Sequence, residues 1–184
     1  MKRILETERL YLRELQDIDV EGMFKLDSNP AVHQYLGKSP ISTMEEAQEV
    51  IKYIRQQYID HAVGRLAVIE KESEAFLGWA GFKLIQELTN GHQDYYDLGY
   101  RFIQDAWGKG YATEISKALV DYGFNEMKLS EMFAITDAQN LGSQNVLQKC
   151  GFVKKELFDY EGEPHYWLEL QAPKPSKYQN KGAC

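Results

Sequence analysis

The run Trp107-Gly-Lys-Gly-Tyr-Ala-Thr113 has the residue types best suited to bind a ligand. It follows a strand-like stretch, 95–102, and begins a helical pattern over 111–126. The first turn of a helix leaves its N–H groups unpaired, and the helix dipole adds partial positive charge there. Glycines let the backbone approach a ligand without an intervening Cβ. The turn therefore predicts a phosphate or pyrophosphate site, with an ordinary glycine turn as the alternative.

Two common phosphate loops do not fit this turn. A Walker loop requires Ser or Thr directly after its Gly-Lys pair, but Lys109 is followed by Gly110. A dinucleotide fingerprint requires a third Gly or Ala where this chain has Thr113. The acidic residue expected about twenty positions later is also missing, because Glu131 precedes the next predicted strand.

Length and composition indicate one globular domain. The 184 residues suffice for a full core, and 43% hydrophobic residues is ordinary for such a domain. No apolar stretch approaches the ~20 residues of a membrane helix, and the N-terminal residues do not resemble a signal peptide. A cytoplasmic protein is expected. The two cysteines, Cys150 and Cys184, argue against a disulfide framework and a thiolate metal site, so no metal is expected.

The net charge of the chain bears on the kind of partner that it can bind. Acidic residues outnumber basic ones 28 to 21, giving a net charge of −7. This argues against sequence-independent nucleic-acid binding, which rests on a basic surface. It is compatible with cationic partners such as amines.

The hydrophobic pattern predicts one mixed α/β domain over residues 1–170, followed by a flexible tail over 171–184. The predicted strands, about seven, are 9–15, 66–70, 76–85, 95–102, 133–137, 152–158 and 165–170. The predicted helices carry apolar stripes within 20–26, 47–58, 111–126 and 140–149.

Two local signals add detail to this order of elements. Ser42 and Glu45 have the spacing of a capping box before the helix over 47–58. Gly78 and Gly81 lie inside a predicted strand, where glycine indicates a bulge or a close backbone approach.

Three stretches of the chain resemble the GNAT acetyltransferase superfamily and, within it, the RimJ/RimL-like branch. In chain order these are Glu6-Thr-Glu-Arg-Leu-Tyr-Leu-Arg13, Asp97-Leu-Gly-Tyr-Arg-Phe102 with Trp107–Glu114, and Asn140-Leu-Gly-Ser143 continuing to Phe152. With the spacing between them they cover nearly the whole chain up to about Leu170. The resemblance implies a largely antiparallel sheet flanked by helices and splayed at an acetyl-CoA site.

The resemblance also implies an activity. It is an acetyl-CoA-dependent N-acetyltransferase that moves the acetyl group to a primary amine by direct attack, through a tetrahedral intermediate. The acceptor is a small molecule or a protein N-terminus, and acetyl-CoA is the co-substrate. A homodimer is compatible with this fold, whereas neither nucleic acid nor a membrane is an expected partner.

The resemblance assigns the coenzyme to the glycine turn and its neighbours. Backbone N–H groups over 108–113 would hold the pyrophosphate, and the strand residues 100–102 would run beside the pantetheine. Asn140 would contact the pantetheine, with a helix cap as its alternative role. The full predicted set is Tyr100, Arg101, Phe102, Trp107, Gly108, Lys109, Gly110, Tyr111, Ala112, Thr113, Asn140 and Ser143.

The resemblance identifies the catalytic acid and base less directly than the coenzyme site. The branch often has a tyrosine that protonates the leaving thiolate, but its position holds Leu147. Ser143 is therefore predicted as the donor, with a hydroxyl in the first turn of the helix as its alternative role. An alkylamine with a pKa of about 10 costs roughly 4 kcal/mol to deprotonate at pH 7. Asp97 is the predicted base, acting through water, with a solvated acid at the strand edge as its alternative.

The acceptor pocket is predicted to include Tyr35, Trp79 and His165, each of which has a purely structural role as its alternative.

Three functions are open at this point: an N-acetyltransferase, a catalytically silent acyl-CoA sensor suggested by Leu147, and a nicotinamide-dependent oxidoreductase suggested by the glycine turn alone.

Overall fold

An eight-stranded sheet forms the centre of the computed structural model, which describes residues 2–37 and 39–174. In the order β1-β2-β3-β4-β5-β6-β8-β7, neighbours are antiparallel except for β5 and β6. The strands are β1 Leu5–Glu6, β2 Leu10–Arg13, β3 Arg65–Glu70, β4 Phe76–Ile85, β5 Tyr95–Phe102, β6 Glu131–Asp137, β7 Val153–Tyr160 and β8 Glu163–Gln171. The predicted mixed α/β class is confirmed, and the eighth strand is the two-residue β1, which pairs with β2.

Helices cover both faces of this sheet. They are α1 Val20–Asp27, α2 Met44–His61, α3 Tyr111–Asn125 and α4 Leu141–Lys149, with short 3-10 turns at Asp17–Asp19, Val32–Tyr35 and Gln104–Ala106. Asp27 of α1 bonds to Arg101 of β5, whereas Gly123 of α3 packs on Phe82, the partner of Leu98 in β5. Residues 98 and 101 face opposite sides of a strand, so α1 and α3 lie on opposite faces.

β5 and β6 separate along their length. They pair at Asp97 and Phe133, and the ladder does not continue towards their carboxyl ends at Phe102 and Asp137. Before the separation, the rings of Tyr95, Phe133 and Trp167 pack with centroids 5.1 to 5.3 Å apart. Because both strands end at the same edge, α3 and α4 begin on either side of the gap.

Two local predictions can be compared with the structure. The capping box lies one residue later than predicted: α2 begins at Met44, so Thr43 is the cap and accepts from the Glu46 N–H at 3.3 Å. The close approach at Gly78 is confirmed, since a Cβ there would lie 2.0 Å from the Arg101 carbonyl oxygen.

The last strand reaches Gln171, one residue past the predicted domain boundary. Most of the predicted tail, 175–184, lies outside the described residues. In the ranges that are described, no helix combines the length and apolar character needed to cross a bilayer.

Replacing Gly78 by alanine should destabilise the fold by about 3 kcal/mol, because the new Cβ meets backbone and the residue's φ is +145°. Urea unfolding measures the change. Gly142→Ala is the control: its nearest atom would be 3.6 Å away, and helix propensity favours alanine by about 1 kcal/mol. Equal unfolding midpoints for the two variants would contradict the conclusion that β4 and β5 approach too closely at Gly78 to admit a Cβ.

Candidate active site

A cleft of about 1080 Å³ lies where β5 and β6 separate. Its walls come from β5, β6, the starts of α3 and α4, the segment 31–37 and the turn between β7 and β8. The two ends of the cleft differ in chemistry. One carries the glycine turn, and the other carries acidic and aromatic side chains.

The glycine turn has the geometry of an anion site. Gly108 and Gly110 have φ values of +73° and +82°, a region that favours glycine. The bond from Glu114 N to Gly110 O, 3.0 Å long, closes the first turn of α3. The N–H groups of 111–113 therefore precede the intrahelical ladder, and these residues line the cleft.

Trp107 joins this turn to β5. Its indole Nε1 donates to the carbonyl of Phe102 at 2.9 Å, and the side chain is half-exposed. The anion site and the free edge of β5 are thus held in one rigid arrangement.

The structure brings all but one of the predicted coenzyme-binding residues to the cleft wall. The residues in the wall are Tyr100, Arg101, Phe102, Trp107, Gly108, Gly110, Tyr111, Ala112, Thr113, Asn140 and Ser143. Lys109 is not in the wall, and its carbonyl accepts a hydrogen bond from Arg9 at 2.9 Å.

Asn140 and Ser143 have structural partners as well as a place in the wall. Asn140 Oδ1 caps α4 by accepting from the Ser143 N–H at 3.0 Å. Tyr100 Oη lies 3.1 Å from both the carbonyl and Oγ of Ser143, so the phenol donates to the carbonyl and accepts from the hydroxyl. Burial raises the pKa of Tyr100, which keeps the phenol protonated. This contact between β5 and α4 was not predicted from the sequence.

Asp97 lies at the point where the strands separate, but it is not a free carboxylate. Arg65 forms an ion pair with its side chain and donates to its carbonyl at 2.7 Å. Both side chains are largely buried and line the cleft. Arg65 was not among the predicted site residues.

Two of the three residues predicted for the acceptor pocket lie in the cleft wall. Tyr35 and His165 line the cleft. Trp79 does not. Its ring instead lies 5.4 Å from the guanidinium of Arg65 and 5.1 Å from that of Arg101.

Three further carboxylates were missed by the sequence prediction. Asp137 ends β6, and Glu161 and Glu163 lie at the turn between β7 and β8, where all three line the cleft. In the described part of the chain none of them forms an ion pair. The position of Asp137 at the end of a predicted strand beside the gap was the available signal.

Thr136 is a buried polar residue in the same wall. Its side chain is 5% exposed, and Oγ1 has no hydrogen-bond partner among the described residues. A buried hydroxyl without a partner costs free energy unless a ligand supplies one.

A second buried network lies behind the segment 31–37. Asp27 accepts from Arg101 Nη1 at 2.6 Å, while His33 Nε2 is 3.9 Å from the same carboxylate oxygen, too far for a hydrogen bond. Burial and the nearby Arg101 charge lower the pKa of His33, so the ring is neutral despite the proximity of Asp27.

Comparison with known proteins gives consistent matches. The family profile described as Acetyltransferase (GNAT) domain matches residues 9–153. The chain is 32% identical over 158 residues to the uncharacterized N-acetyltransferase p20 of Bacillus licheniformis, covering 85% of this chain and 86% of that protein. It is 27% identical over 147 residues to spermidine N(1)-acetyltransferase of Escherichia coli, covering 79% and 74%. The ribosomal alpha-N-protein acetyltransferase RimL, solved with coenzyme A, has a TM-score of 0.78 at 16% identity, covering 92% and 98%, which shows the shared fold.

The buried His33 should make the protein less stable in mild acid. Its folded pKa lies below the ordinary value of 6.5, so the unfolded chain binds more protons as pH falls through that value. The stabilisation is therefore complete at pH 7 and is lost towards pH 5. Thermal unfolding should show a smaller drop in Tm over this interval for His33→Phe than for the wild type. His61→Gln, on the end of α2, is the control and should follow the wild type. Identical drops in Tm for the wild type and His33→Phe would contradict the lowered pKa of His33.

Proposed function

Because this chain belongs to the GNAT acetyltransferase family and is an N-acetyltransferase, we propose that it transfers the acetyl group of acetyl-CoA to a primary amine that enters as a cation. One observation carries this proposal. One cleft connects a helix N-terminus suited to a diphosphate with carboxylates that form no ion pair among the described residues and are suited to an ammonium ion. The family assignment also argues against the silent sensor and the oxidoreductase.

The residues of the cleft fit the coenzyme. The N–H groups at the start of α3 would hold its diphosphate, and the edge of β5 beyond Asp97 would bond the pantetheine amides as an added strand would. Thr136 lines the same cleft, and its buried hydroxyl, which has no partner among the described residues, would complete a hydrogen bond with a polar group of that arm.

The acidic side of the cleft favours a cationic acceptor. Asp137, Glu161 and Glu163 have no basic partner in the described ranges, whereas Arg65 and Arg101 are already paired with carboxylates. An ammonium group is therefore attracted to this side. The name of the Escherichia coli relative, a spermidine acetyltransferase, supports a small polyamine-like acceptor, and that of RimL supports a protein N-terminus.

The chemistry requires a neutral amine, a polarised thioester and a stabilised thiolate. Asp97 is the proposed proton acceptor, through water, and Arg65 fixes its position. Backbone N–H groups over 100–102 would polarise the thioester carbonyl and stabilise the tetrahedral oxyanion. Ser143 would turn its hydroxyl proton from Tyr100 Oη to the leaving sulfur, while Tyr100 keeps its bond to the Ser143 carbonyl.

Turnover should be detected as free thiol released from acetyl-CoA with a panel of spermidine, simple diamines and peptides with free N-termini. Replacing Glu161 and Glu163 together by glutamine should raise the KM of the preferred amine about tenfold, because two attractive charges are lost. The Kd of CoA, measured by calorimetry, should not change.

A double variant at the exposed residues Glu72 and Glu126, both to glutamine, removes the same charge far from the cleft and should behave like the wild type. CoA binding without thiol release across the whole panel would contradict the proposed acceptor class.

Thr136→Val should weaken CoA binding roughly fivefold, the equivalent of one lost hydrogen bond of about 1 kcal/mol. The Tm of the ligand-free protein should stay equal or rise, because the variant removes an unsatisfied buried hydroxyl. Thr136→Ser should restore the affinity. A Val variant that binds CoA like the wild type would show that the hydroxyl makes no contact with the coenzyme.

A further inference from the structure

We propose that Arg9 is a positioning residue for coenzyme A, which orients the glycine turn from the side opposite the cleft. This inference rests on the acetyl-CoA binding proposed above. Arg9 belongs to the N-terminal stretch Glu6–Arg13, whose resemblance was noted but which supplies no residue to the cleft wall.

The contacts of Arg9 converge on the turn and the first residues of α3. Its Nη1 donates to the carbonyl of Lys109 at 2.9 Å. Its Nε and Nη2 both contact Glu114 Oε2 at 2.7 Å, and its backbone N–H donates to Oε1 at 3.0 Å. Thr7 donates to the same Oε1 at 2.6 Å, and the guanidinium lies 4.5 Å from the ring centre of Tyr111.

The bond to Lys109 sets the direction of the next amide. In a planar trans peptide the C=O and the following N–H point to opposite sides. Fixing the Lys109 carbonyl towards Arg9 therefore directs the Gly110 N–H away from Arg9. Gly110 lines the cleft and Arg9 does not, so this N–H is aimed at the anion site. Glycine at positive φ leaves the peptide plane easy to rotate, and an external bond is what holds it.

The bonds to Glu114 remove an electrostatic conflict. A carboxylate in the first turn of α3 would repel a diphosphate bound at the same helix end. Burial alone would raise the pKa of Glu114, but the bonds from Thr7 and Arg9 outweigh it and lower the pKa, so the group is charged. Arg9 neutralises that charge and, with Thr7, binds both carboxylate oxygens.

The test compares the Kd of CoA, by calorimetry, in the full-length wild type, Arg9→Ala, Arg9→Lys and the control Arg55→Ala, which breaks an exposed ion pair with Asp17. Arg9→Ala should raise the Kd roughly tenfold, since it loses charge-assisted bonds to both the turn and Glu114. Arg9→Lys should be nearly as weak, because an ammonium group keeps the charge but cannot span two acceptors as the planar guanidinium does. Arg55→Ala should bind like the wild type.

Kinetics separate positioning from a general loss of structure. With an accepted amine, Arg9→Ala should raise the KM of acetyl-CoA in parallel with the Kd and leave kcat at saturation unchanged. Glu114→Gln is a milder second variant that keeps the shape of the side chain. It weakens the anchor of Arg9 but also removes the charge that would repel the diphosphate, so it should weaken CoA binding less than Arg9→Ala does, about threefold. The Arg9→Ala/Glu114→Gln double variant should bind no more weakly than Arg9→Ala alone, because the two residues act through one contact.

Three results would overturn the role of Arg9. These are a Kd of Arg9→Ala within twofold of the wild type, full affinity in Arg9→Lys, and additive losses in the double variant. The second would mean that Arg9 acts as a cation on the phosphate rather than on the turn. Wild-type protein that does not bind CoA would overturn the proposed function and this inference together, whereas the other outcomes concern Arg9 alone.

Discussion

The separation of β5 from β6 is the constraint on which the other features of the site depend. Two parallel strands that stayed paired to their ends would fill the space now occupied by the cleft. Here the pairing reaches Asp97 and Phe133 and stops, while the aromatic rings of Tyr95, Phe133 and Trp167 hold the strands together on the paired side. Backbone groups beyond this pair have no partner across the β5–β6 ladder, and in the proposed function the amides of the pantetheine would satisfy them.

Three arginines fix the surroundings of this gap, each by contacting backbone or a buried carboxylate. Arg65 is bound to Asp97 where the strands part, Arg101 to Asp27 beneath the segment 31–37, and Arg9 to Lys109 behind the glycine turn. Removing one member of such a pair leaves a charge without a partner, which costs more than the pair itself contributes. These contacts therefore hold the side chains and the turn around the cleft in defined positions.

Much of this arrangement follows from local patterns. The strand over 95–102, the helix beginning at Tyr111 and the glycine turn between them were predicted correctly, because periodicity and glycine spacing are short-range signals. The wall residues Arg65, Thr136 and Glu163 were missed, since their place in the cleft depends on which strands become neighbours. Trp79 was predicted in the pocket but does not lie in the cleft wall, because its ring packs near the guanidinium groups of Arg65 and Arg101, a contact that depends on the same strand order. The roles of the individual site residues stay predictions.

The indole of Trp107 has a consequence for the choice of acyl carrier. Its bond to the Phe102 carbonyl couples the end of β5 to the start of α3. In the proposed function, this bond would set the separation between the place for the thioester and the place for the diphosphate. A carrier with a shorter or longer arm between those two groups would then reach one place and miss the other.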